Sequence, residues 1–92
     1  MSILEEDVDY GPSLKLCLRE IRNKKAGTVV ELMTKQKRPF SALFEKFFKT
    51  QNLEPSQTTK IVFKFDGEKL DPMKNAQQYD MEDEDMIDVE FP

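Results

Sequence analysis

Histidine is missing from the 92 residues, and cysteine occurs once, at Cys17. This removes the usual general base, every Ser–His or Cys–His dyad and the ligands of a zinc site. Carboxylates and lysines remain as reactive groups, without a glycine-rich phosphate loop beside them. Cys17 has no base to activate it and reads as a packed surface thiol. The densest carboxylate run is Glu82, Asp83, Glu84 and Asp85, within "MEDEDMIDVEFP". A calcium loop would need glycine at its sixth position and a spaced bidentate Glu, and this stretch has neither. No catalysis, metal or cofactor is therefore expected. Two readings of the run remain: a surface that recognises a basic partner, or a solvated acidic edge of a generic adaptor.

The charge is unevenly distributed. Residues 13–50 carry ten basic and three acidic side chains, residues 51–92 carry four and eleven, and the first twelve residues add four acids. Such a split orients the field of the molecule and steers a charged partner, while the acidic half disfavours nucleic acid. One cysteine allows no internal disulfide, which fits a reducing, intracellular setting. No apolar run reaches the roughly 18 residues of a membrane span, and no signal-peptide core opens the chain. Residues 1–12 read as an acidic disordered leader or linker. Ile3 and Leu4, followed by Glu5, Glu6 and Asp7, suggest a short docking motif inside it, although plain linker is the simpler account.

Residues 13–92 read as one small domain. Leu14, Leu16 and Leu18 alternate with Lys15, Cys17 and Arg19, the period of a half-buried strand, with Cys17 on the outward side. "REIRNKKAG" reads as a basic connection, and residues 28–35 as a second strand that completes a hairpin. Over residues 38–52, Phe40, Leu43, Phe44, Phe47 and Phe48 make one helical stripe. Pro39 suits the first helical position, Ser41 is an alternative cap, and Asn52 suits a left-handed stop. Ile61, Phe63 and Phe65 share one strand face, and Asp66 followed by Gly67 signals a tight hairpin. A connection with about one helical turn leads to a last strand, with Ile87, Val89 and Phe91 inward. The order ββαββ(short helix)β, with the helix across a mixed sheet and the first and last strands parallel, is an α+β β-grasp, the ubiquitin-like fold.

"VVELMTKQKRPFSALFEKFFKTQN", "IVFKFDGEKL" and "MEDEDMIDV" closely resemble the matching segments of SUMO, the ubiquitin-like modifier, across residues 13–91. "GEKLDP" is similar to the C-terminal SUMO-like domain of the RENi family of genome-stability and NFAT-interacting proteins. SUMO continues past its last strand to a diglycine that is activated and conjugated, whereas here Pro92 follows Phe91 directly. The expectation is therefore a SUMO-like domain that is not conjugated; the alternative is a SUMO modifier truncated before its diglycine tail.

The resemblance implies two partner surfaces. One is a groove that accepts a SUMO-interacting motif as an added strand, at Val30, Leu32, Thr34, Lys35, Leu43 and Thr50. Thr34 stands where the family has isoleucine and Thr50 where it has arginine, so weak or absent binding is expected. The other, at Asp66, Gly67, Glu82, Asp83, Glu84 and Asp85, would dock on the back of the SUMO-conjugating enzyme by mimicry of SUMO. The resemblance also implies a nuclear domain linked to sumoylation and DNA repair; from charge and hydropathy no nucleic acid or membrane is expected to be bound by the domain itself, and a monomer is expected.

Overall fold

The computed structural model describes residues 10–92, so the first nine residues of the expected leader, with the docking motif suggested there, lie outside the described residues. The next three, residues 10–12, lie against the start of the loop before the helix: Lys37 N–H donates to the Tyr10 carbonyl (2.7 Å) and Gln36 N–H to the Pro12 carbonyl (3.0 Å).

The strands are β1 (Ser13–Arg22), β2 (Lys25–Lys35), β3 (Val62–Phe65), β4 (Glu68–Lys69) and β5 (Met86–Glu90), in spatial order β2-β1-β5-β3-β4. β1 and β5 pair in parallel and the other neighbours are antiparallel. The helix α1 (Phe40–Thr50) supplies the crossover from β2, followed by the short helix α2 (Pro55–Thr58); a 3₁₀ turn at Gln77–Tyr79 precedes β5. This is the expected β-grasp. The stripe of α1 and the alternating apolar residues of the strands meet in one layer, where Leu16, Leu18, Phe40, Leu43, Phe47, Ile87 and Val89 are fully buried. Burying each such side chain is worth about 1.5–3 kcal/mol relative to leaving it exposed. Phe44 stacks on Phe63 with ring centroids 3.8 Å apart.

Several details differ from the sequence-based expectation. The basic connection between β1 and β2 shrinks to Asn23 and Lys24, with φ of 52° and 64°. Residues expected in the turn, Gly27 among them, belong to the strands. A lysine in the left-handed region is uncommon, which hid the two-residue turn. Pro39 is the N-cap of α1 and not its first helical residue, and no side chain caps there. The carbonyls of Lys74 and Pro72 accept from Phe40 N–H (2.8 Å) and Ser41 N–H (3.0 Å) instead. At the other end Asn52 is left-handed (φ 57°), as expected. Its N–H donates to the Lys49 carbonyl and Leu53 N–H to that of Phe48, the paired bonds of a Schellman closure. Cys17 is buried rather than a surface thiol. It lies in an inner strand, opposite Glu31 on one side and Met86 on the other, and these longer neighbours shade it.

Candidate functional site

The β3–β5 register pairs Lys64 with Asp88, so two residues further along Asp66 comes level with Met86. Met86 in turn pairs with Cys17 of β1. The Asp66–Gly67 turn, which follows β3, and the acidic run of residues 82–85, which leads into β5, therefore lie at the same end of the sheet.

The β3–β4 turn is tight because Asp66 (φ 55°) and Gly67 (φ 79°) both occupy the left-handed region. Aspartate tolerates that region better than most residues, and glycine enters it freely. Both residues are exposed, and a Cβ placed on Gly67 would meet nothing within 4 Å. The backbone here is open to close approach.

Residues 82–85 are wired quite differently. Asp85 Oδ2 accepts from Glu82 N–H at 2.7 Å, and Asp85 N–H returns to the Glu82 carbonyl at 3.1 Å. Asp83 Oδ1 accepts from the N–H of Lys15 at 2.7 Å. Glu84, with φ 71°, donates its N–H to the Lys15 carbonyl at 2.6 Å, and Cys17 N–H donates to the Asp85 carbonyl at 2.9 Å. The run is a turn stitched to β1. Its carboxylates divide into two that shape the backbone, Asp83 and Asp85, and two whose carboxylates face outward, Glu82 and Glu84.

Lys15 belongs to this site and was not singled out by sequence reasoning. Its Nζ lies 3.5 Å from Glu84 and 3.9 Å from Glu31. The carboxylates of Glu31 and then Glu84 raise its pKa above the ordinary lysine value. Tyr79 and Asp80, which share a shallow cavity of about 320 Å³ with Asp66, were also missed. Met86 is 38% exposed at the centre of the acidic end. Alternation along the last strand, with Ile87 and Val89 inward, was the signal that pointed Met86 outward. Elsewhere on the open face charges are paired: Arg19 Nη2 lies 2.9 Å from Asp88, and Lys64 Nζ lies 3.2 Å from Glu90.

The groove positions gather between β2, an edge strand, and α1. Val30 and Leu32 are half-buried against the core, Leu43 is part of it, and Thr34 is a buried polar residue. Lys35 is half-buried and Thr50 is exposed near the end of the helix. Lys46 Nζ crosses from α1 to the Met33 carbonyl at 2.8 Å.

A family profile described as "Ubiquitin-2 like Rad60 SUMO-like" matches residues 18–90. Small ubiquitin-related modifier 2-A of Xenopus laevis and small ubiquitin-related modifier 2 of Homo sapiens are each 38% identical to this chain over 63 residues. Each match covers 68% of the chain and 63% of the relative. In three dimensions the ubiquitin of Caldiarchaeum subterraneum superposes with a TM-score of 0.66 at 14% identity, covering 85% of this chain and 94% of that one. At that identity the likeness speaks for the fold alone.

Proposed function

Because the chain belongs to the Rad60 SUMO-like family of ubiquitin-like domains, we propose that it is a non-catalytic docking domain that binds the SUMO-conjugating enzyme on the face away from its catalytic cysteine. Asp66, Gly67, Glu82, Asp83, Glu84 and Asp85 form the contact surface, in mimicry of SUMO. The observation that carries this reading is the convergence of two rigid acidic turns at one end of the sheet. A backbone fixed by tight turns presents its carboxylates to Arg and Lys from set positions, and fixed charge also speeds encounter. In this reading the domain competes for, or recruits, the enzyme without being conjugated. It ties its parent chain, of the RENi type, to nuclear sumoylation and genome stability. The β2–α1 groove contributes little, because Leu43 is committed to the core and Thr34 is buried and offers no apolar surface; a SUMO-interacting peptide titrated to about 1 mM should leave Val30 and Leu32 unsaturated.

Titration of the isotope-labelled domain with the conjugating enzyme tests the main surface. Chemical-shift changes should centre on residues 66–67 and 82–86, and Asp66→Arg should abolish them; equal changes in wild type and variant sink the reading. The names of the relatives favour a second reading, a covalent modifier. Thioester formation by the natural full-length protein with the SUMO-activating enzyme would support that one instead.

A further inference from the structure

The carboxylates of the acidic end are not equally available. Among the described residues, Asp66 and Glu82 have no ion pair, whereas Lys15 faces Glu84 and Glu31. The position of Lys15 is fixed at its root. Its N–H donates to Asp83 and its carbonyl accepts from Glu84 N–H, so the side chain rises beside the acidic turn from a backbone that the turn itself holds. Glu31 approaches from β2 on the other side, opposite Cys17. The Glu31 and Glu84 side chains remain largely in solvent, so neither pair is locked. An exposed pair of this kind is weak enough to exchange partners.

We infer that Lys15 is a specificity-determining residue of the acidic end: its ammonium is an internal counter-cation that a basic partner must displace before Glu84 can engage it. This rests on the docking function proposed above. A partner with a guanidinium, which can grip a carboxylate with two parallel hydrogen bonds, exchanges with the single ammonium favourably. A partner presenting only scattered lysines gains nothing from the exchange. Lys15 thus lowers affinity for basic surfaces in general and leaves Asp66 and Glu82 as the groups that make first contact.

The test is binding of the SUMO-conjugating enzyme to the whole chain at two salt concentrations, with thermal melting to show that each variant is folded. Lys15→Met keeps an unbranched side chain reaching as far as the lysine Cε, and every main-chain bond, while removing the ammonium. It should tighten binding roughly two- to fivefold, the worth of one exposed pair, and steepen the salt dependence. Lys15→Arg, which keeps the cation, should not show the gain. Glu84→Gln should cost more in the Lys15→Met background than alone, because only there is the carboxylate unopposed. A purely structural role for Lys15 would not make its removal tighten binding. Unchanged or weaker binding by folded Lys15→Met, while Asp66→Arg still abolishes it, overturns the inference and leaves the docking function standing. Equal cost of Glu84→Gln in both backgrounds also overturns it. Absence of binding by the wild type overturns the docking function and this inference together.

Discussion

The two acidic turns at the same end of the sheet carry the same kind of charge and use it differently. In the β3–β4 turn the backbone is shaped by two left-handed residues, and the Asp66 carboxylate accepts no hydrogen bond from within the domain among the described residues. In residues 82–85 the carboxylates are themselves fasteners: that of Asp83 ties the turn to β1, and that of Asp85 closes the turn on Glu82 N–H. One turn can lose its charge and keep its shape. The other loses shape with charge. Alanine scanning that counts all six positions as equivalent contacts would therefore confuse a damaged scaffold with a lost contact.

Four measurements break or sharpen this contrast. The largest effect is expected from Asp83→Ala combined with Asp85→Ala, which removes two charge-assisted bonds to main-chain N–H groups; chemical denaturation should register a loss of about 2–3 kcal/mol. A loss below about 0.5 kcal/mol would mean that the two turns are alike after all. Next is Asp66→Arg, expected to weaken enzyme binding at least tenfold, or about 1.4 kcal/mol. Asp66→Asn is the cleaner companion, because asparagine accepts the left-handed backbone. It should shift stability by no more than about 0.5 kcal/mol while still weakening binding. Gly67→Ala tests the backbone alone: nothing obstructs the new methyl group, yet φ of 79° strains it, and a cost of about 1 kcal/mol is expected in denaturation. The smallest effect concerns pH. The folded-state pKa of Lys15 is raised, so its contribution to stability is fully present below the ordinary lysine value and is lost as pH rises through the folded value. Lys15→Met should flatten the alkaline limb of a stability–pH profile and leave the neutral region level; a neutral slope that changes would place another group in control.

Much of the fold was legible because its signals were local. The alternation of Leu14, Leu16 and Leu18, the phenylalanine stripe of α1 and the Asp66–Gly67 turn each state their structure within a few residues. The failures were of two sorts. Some signals were present but passed over: Glu54, Pro55 and Gln57 form a capping box with proline at the helix start, and α2 begins there. Others do not exist locally. The start of α1 is capped by carbonyls some thirty residues away, and Cys17 is shaded by strands on both sides. The candidate site follows the same division. The residue types of the acidic run were plain in the sequence. That Asp83 is a fastener and Glu84 a paired group depends on Lys15, 68 positions from Asp83.

The borrowed cap of α1 bears on the order in which the chain becomes structured. Its last turn is closed by Asn52 and Leu53, neighbours that arrive with the helix itself. Its first turn has no partner for the Phe40 and Ser41 N–H groups until Pro72 and Lys74, which lie beyond the β3–β4 hairpin in the chain, pack against it. The helix is therefore expected to nucleate from its C-terminal end and to complete its N-terminal turn late. In rate measurements, substitutions near Lys49 should slow folding, whereas those near Ser41 should mainly speed unfolding.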